Sequence, residues 1–147
     1  MILKYTTHSP DETIALGRFI GSKLKGGDII AYRGGLGAGK TTITHGIAQG
    51  MGLKDDVSSP TFALVNEYRG KINLYHFDMY RINSGLDLET TGFYDYMDSD
   101  SVLAIEWSEN IAGELPDNII TITIKRIDDD TREIEIMGDE RFDDIGN

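Results

Sequence analysis

The stretch Gly34-Gly35-Leu36-Gly37-Ala38-Gly39-Lys40-Thr41 constrains this chain more than any other, because it meets the pattern Gly-x-x-x-x-Gly-Lys-Thr at every fixed position. The residues before it, "DIIAYR" (28–33), read as a buried strand, and those after it, "TTITHGIAQGMG" (41–52), read as a helix. Strand, glycine-rich loop and helix in that order form the context in which such a loop works. A backbone with little side chain lets successive N–H groups turn inward as an anion-binding nest, and the helix aims its positive end at the same point. On this reading Leu36, Gly37, Ala38, Gly39, Lys40, Thr41 and Thr42 wrap the phosphates of a nucleotide. Lys40 reaches the β- and γ-phosphates, and the Thr41 hydroxyl is placed to ligate Mg²⁺.

With 147 residues, everything the chain does must fit on one domain with one core. "ILKYTT" is a β-type run. Ser9 then offers an N-cap, Pro10 a first helical position and Glu12 the acid of a capping box. Leu16, Ile20 and Leu24 recur at the spacing of one buried helix face until Gly26-Gly27. "FALVNEYR" and "KINLYHFDMYR" flank Gly70 as an antiparallel hairpin, with Leu74, His76 and Asp78 on one face of the second arm and Tyr75 and Phe77 on the other. "LDLETTGFYDYMDS" suggests short helical turns. "SVLAIEW" is a continuous apolar run, as for a strand covered on both faces, and carries Glu106 near its end. "SENIAGELP" suggests a short helix from Ser108 to Leu115, and "NIITITIKRI" and "REIEIMG" two alternating strands joined by "DDDT". The expected fold is α/β: a single P-loop NTPase-type domain over residues 1–138, its mostly parallel central sheet flanked by helices and carrying an antiparallel hairpin. Residues 139–147 are expected to form a solvated acidic C-terminal tail.

A P-loop also needs an acid at a neighbouring strand end, to hold Mg²⁺ through water or to orient an attacking water. Asp78 and Glu106 both qualify, since ligands of open α/β sheets collect at the carboxyl ends of the strands. No Asn-Lys-x-Asp element for reading a guanine base occurs, which disfavours GTP. Seven arginines are spread without clustering, which disfavours the arginine-rich lid of a small-molecule kinase. ATP hydrolysis is therefore the leading reading from the residues. A small P-loop kinase and a nucleotide-gated assembly module with incidental hydrolysis stay open. The net charge of −11 opposes direct binding to a nucleic-acid backbone. The absence of cysteine, of a basic leader and of any membrane-length apolar run suits a soluble cytoplasmic protein.

"GGLGAGKTT", "SSPTFALVNEY", "LYHFDMYR" and "LAIEWSE", in this order, resemble the bacterial TsaE (YjeE) family across nearly the whole chain. The P-loop is generic, but Ser59-Pro60-Thr61-Phe62, His76-Phe77-Asp78-x-Tyr80-Arg81 and Ile105-Glu106-Trp107 are together highly specific. The resemblance implies the ATPase component of tRNA threonylcarbamoyladenosine biosynthesis. Such a protein binds ATP and Mg²⁺, hydrolyses weakly alone and acts with TsaB and TsaD, the partners that hold the transfer chemistry and most of the tRNA contact. It implies Glu106 as the Mg²⁺-linked acid, Asp78 as a second active-site acid and Thr61 as a switch-type residue. Tyr80, Arg81 and Trp107 become candidates to contact partner or nucleotide, and Glu12 and Arg132 candidates at the adenine end. His76 is expected to be a hydrogen-bonded structural residue rather than a base. One departure stands out: the family usually has Asp in the second position of the loop, where this chain has Gly35.

Overall fold

The computed structural model of the chain describes residues 2–35, 38–54, 65–79, 82, 88–89, 92–98 and 100–142. Its regular elements are β1 (Ile2–Thr7), α1 (Pro10–Lys23), β2 (Ile29–Arg33), α2 (Lys40–Gly50), β3 (Val65–Tyr68), β4 (Asn73–Asp78), β5 (Ser101–Glu106), β6 (Ile120–Arg126) and β7 (Arg132–Met137). The seven strands form one sheet in the order β1-β7-β6-β2-β5-β4-β3. Its centre, β6-β2-β5-β4, is parallel, and the pairs at both margins, β1 with β7, β7 with β6 and β4 with β3, are antiparallel. Parallel strands need both faces covered, and every residue of β5 is buried.

Alternation along β4 divides the core as the sequence suggests. Leu74 joins Ile30, Tyr32, Val102 and Ala104 beneath α1 and α2, whereas Tyr75 and Phe77 join Leu103, Ile105 and Phe93 on the opposite face. The start of α1 follows its capping signals: the Glu12 N–H donates to Ser9 Oγ at 3.1 Å, and Glu12 Oε1 accepts from the His8 N–H at 3.1 Å. The helix ends at Lys23, before the Gly26-Gly27 expected to close it, because Leu24 turns extended and its N–H caps back onto the Gly21 carbonyl. The helix expected over 108–115 is instead two merged 3₁₀ turns, Ser108–Glu114, broken where the buried Ile111 leaves helical angles.

Two features were not read from the sequence. The helices α1 and α2 touch backbone to backbone, since a Cβ on Gly46 would lie 2.2 Å from the Ile14 carbonyl oxygen and one on Gly21 2.2 Å from that of Ile47. The acidic C-terminal stretch also begins as part of the fold. A 3₁₀ turn at Glu140–Phe142 buries Phe142 completely, and Arg141 bridges Asp139 and Asp28. Residues 143–147 lie outside the described residues.

Candidate functional site

Strand β2 delivers the chain into the loop, and two glycines shape it. Gly34, at φ +145, passes so close to β6 that a Cβ would meet the Ile124 carbonyl oxygen at 2.5 Å. Gly39, at φ +114, is the N-cap of α2 and, having no side chain, supplies no acceptor to the first turn of α2. Unpartnered N–H groups at a helix start form an anion site together with the helix dipole. Thr41 and Thr42 occupy this first turn, half-buried. Ala38, from the loop itself, is buried and donates its N–H to the Gly35 carbonyl at 3.3 Å. Gly35 is exposed, and a Cβ there would meet nothing within 4 Å, so the missing carboxylate of the resembled pattern has open space around it. Leu36 and Gly37 lie outside the described residues.

The parallel register sets the acids. Asp78 and Glu106 are paired across the ends of β4 and β5, so the two strand-end carboxylates predicted from sequence are neighbours. Glu106 lies 3.4 Å from Lys40 Nζ, which also donates to the Gly34 carbonyl at 3.1 Å. Both side chains are about nine-tenths hidden, with exposures of 8% for Lys40 and 11% for Glu106. Withdrawing two opposite charges from water costs about as much as their attraction returns, so such a pair is a poor source of stability. Here it holds the loop lysine against the strand-end acid.

The other Glu106 oxygen faces His76, which is fully buried, with Nε2 2.6 Å from Oε2. The approach is a close polar contact that does not meet the geometry of a hydrogen bond, and among the described residues neither ring nitrogen of His76 has a hydrogen-bond partner. Burial pushes the Glu106 carboxyl up, but the contact with His76 and the charges of His76 and Lys40 outweigh it and hold the group below the ordinary carboxylate range. Glu106 is thus an anion at neutral pH. Behind it a polar chain reaches the start of α2: the Tyr32 ring meets the His76 ring edge-on at 6.0 Å, Tyr32 Oη lies 2.6 Å from Thr44 Oγ1, and Thr44 Oγ1 donates to the Lys40 carbonyl at 2.7 Å.

Trp107 follows Glu106 at φ +59, a left-handed conformation rare for a bulky residue and costing on the order of 1–3 kcal/mol. Its ring sits 5.8 Å from Lys40 Nζ. Arg132 meets the loop directly: its Nε donates to the Ala38 carbonyl at 2.8 Å, and its Nη1 to the Asp128 carbonyl at 2.7 Å. It therefore ties the β6–β7 turn to the loop. Glu12 is half-exposed and engaged by the cap of α1 and by His8 Nδ1 at 3.3 Å; the preceding strand brings this helix start beside Arg132, through the Thr7–Arg132 pairing. Thr61, Tyr80 and Arg81 lie outside the described residues.

The arrangement offers a chemically coherent set. A nest and a glycine-capped helix start can take anionic oxygens, Lys40 can move from Glu106 to them, and the Thr41 hydroxyl with the carboxylates of Glu106 and Asp78 supplies hard oxygen donors. Mg²⁺ keeps several waters and takes few protein ligands, so such a set fits it in the company of phosphates. Among the described residues no group of three or more His, Cys, Asp or Glu could hold a metal ion by itself. His76, expected as a hydrogen-bonded structural residue, is instead buried against Glu106 without a hydrogen bond among the described residues, and the Tyr32–Thr44 link was not read from the sequence. The signal for His76 was a histidine alternating with a leucine on the face of an otherwise apolar strand.

Residues 7–134 match the family described as "Threonylcarbamoyl adenosine biosynthesis protein TsaE". Among curated proteins, the chain is 41% identical to "tRNA threonylcarbamoyladenosine biosynthesis protein TsaE" of Bacillus subtilis, over 90% of this chain and 83% of that one. The proteins of the same name from Treponema pallidum and Haemophilus influenzae are 35% and 46% identical, over 91% and 74% of this chain and 99% and 69% of theirs. Among solved structures, that of Bacillus subtilis YdiB superposes with a TM-score of 0.76 at 36% identity, covering 97% of this chain and 90% of the other.

Proposed function

The chain belongs to the TsaE family, and from that premise we propose that it is the Mg²⁺-dependent ATPase subunit that supports synthesis of N⁶-threonylcarbamoyladenosine in tRNA. It acts in the cytoplasm with TsaB and TsaD, which carry the transfer chemistry. The observation that carries this reading is the buried Lys40–Glu106 pair set against a helix start whose N-cap is a glycine, at the end of a glycine-rich loop. The triphosphate of ATP offers Lys40 a stronger anion than one carboxylate. Loop N–H groups and the start of α2 hold its oxygens, and Arg132 keeps the loop in shape through Ala38. Thr41 and Glu106 would hold Mg²⁺, which neutralises charge growing between the β- and γ-phosphates. Asp78, beside Glu106, orients the water that attacks the γ-phosphorus, and ADP leaves with its oxygens still in the nest.

Hydrolysis by the chain alone is slow on this reading, because phosphoryl-transfer sites often wait for a partner's charge worth about 10³ to 10⁵ in rate. The −11 charge supports a subunit that reaches tRNA only through its partners. Among the described residues no helix is long and apolar enough to cross a membrane. Reconstitution tests the proposal. With TsaB, TsaD, tRNA and the threonylcarbamoyl donor present, sustained modification should require both this chain and ATP. Equal modification with the chain left out would refute it.

A further inference from the structure

The fully buried His76 plays no part in that scheme, and among the described residues neither of its ring nitrogens finds a hydrogen bond; a buried donor or acceptor left so is unfavourable by about 1–3 kcal/mol, whereas an apolar residue would fill the same place in the core. Its position explains what it does. His76 pairs in register with Ala104, so on the face shared with α2 it stands one diagonal step from Glu106, and its Nε2 meets Oε2 at 2.6 Å. Lys40 meets the other oxygen, Oε1, at 3.4 Å. The imidazole is itself braced by the Tyr32 ring at 6.0 Å, and Tyr32 by Thr44 on α2.

We propose that His76 is a positioning residue for Glu106: by occupying Oε2 it fixes the carboxylate rotamer so that Oε1 is presented toward Lys40 and, with nucleotide bound, toward the nucleotide's divalent cation. This rests on the reading of Glu106 as the acid linked to that cation. A buried strand histidine is the suitable device, because its ring has few rotamers and full burial beside the Tyr32 ring holds them. Glu106, with three flexible torsions at a strand end, could otherwise swing to meet Lys40 through either oxygen. Partners behind a metal-linked group typically contribute 10- to 100-fold in metal affinity or activity.

Calorimetric titration of ATP into the full-length protein, once with Mg²⁺ and once with EDTA, gives the readout: the gain in affinity that Mg²⁺ confers. His76→Leu is expected to cut this gain about 10-fold or more while leaving the EDTA affinity within about twofold of wild type. His76→Gln, long enough to bring an amide N–H against Oε2, should restore most of it, and His76→Asn, polar but too short, should not. In a Glu106→Gln background His76→Leu should add nothing further. A folded His76→Leu protein with the wild-type gain overturns the inference; should that variant fail to fold, a wild-type gain in His76→Asn does so equally. If Glu106→Gln itself keeps the full gain, the reading of Glu106 fails, and the role given to His76 falls with it. A gain lost in Glu106→Gln but kept in the His76 variants removes His76 alone.

Discussion

The side chains of Glu106 and Asp28 are each 11% exposed and each faces a cation, yet their surroundings differ completely. Asp28 accepts from Arg141 Nη1 at 2.6 Å and from the Lys25 N–H at 2.7 Å, and the same guanidinium turns two further donors onto Asp139 at 2.7 and 2.8 Å. That cluster is closed, with its donors committed, and it pins the buried Phe142 beneath the C-terminal end of the described chain. Glu106 instead has a lysine at 3.4 Å and a histidine off hydrogen-bond alignment, and among the described residues its Oε2 finds no hydrogen bond. Equal burial with unequal satisfaction is what the proposed function expects of a structural clasp on one side and a binding site on the other.

Lys40→Ala gives the largest expected contrast. On the proposed reading it removes the amine that reaches the β- and γ-phosphates, so ATP affinity and turnover should each fall about 10²-fold or more, as when a preorganised donor is lost. Thermal stability should fall as well, because removing one member of a hidden pair leaves the Glu106 carboxylate uncompensated. Loss of stability with ATP affinity and turnover unchanged would make the site resemble the clasp and break the comparison.

Moving the site without touching it sharpens the same point. Gly46→Ala forces a Cβ against the Ile14 carbonyl oxygen, which overpacking places at about 1–3 kcal/mol of destabilisation, visible in urea unfolding. Because α2 also carries Lys40, hydrolysis should drop well below the folded temperature limit. Unchanged activity would show that the Lys40–Glu106 geometry tolerates a shift of the helix.

Arg141→Ala probes the clasp and should have the smallest effect on chemistry, none, with about 1.5–3 kcal/mol of stability lost. Its pH dependence has a definite sign. Arg141 pulls the Asp139 carboxyl from an ordinary 3.8 down to about 2. A carboxyl lowered in the folded state stabilises above its unfolded value, and that contribution disappears as pH falls through the folded value. The gap between wild type and Arg141→Ala should therefore narrow from pH 4 to about pH 2, as read by denaturant melts along that range.

Much of this was legible because local rules and the fold agreed. The loop pattern fixed its strand and helix, Ser9 and Glu12 capped α1, and alternation sorted Leu74 from Tyr75 and Phe77. Strand-end positions for Asp78 and Glu106 follow from their apolar runs, but their adjacency needs the parallel β4–β5 register, which no local pattern encodes. The same register hides the His76–Glu106 contact. Arg132 reaches Ala38 only once the C-terminal hairpin has folded back beside the loop. The C-terminal stretch was misjudged on its charge, which masked one aromatic and one arginine able to close a cluster. For the helix contact a signal existed: Gly17 and Gly21, and Gly46 and Gly50, stand four apart on facing helices, a spacing that lets backbones meet.

The most direct test is single-turnover hydrolysis of bound ATP in the presence of TsaB and TsaD, comparing Glu106→Gln with Arg141→Ala below the melting temperature of both. Glu106→Gln should bind ATP yet hydrolyse it about 10²-fold or more slowly, while Arg141→Ala should match the wild type. Wild-type hydrolysis by Glu106→Gln, or an equal loss in both variants, would contradict the assignment of the Lys40–Glu106 centre as the reacting site.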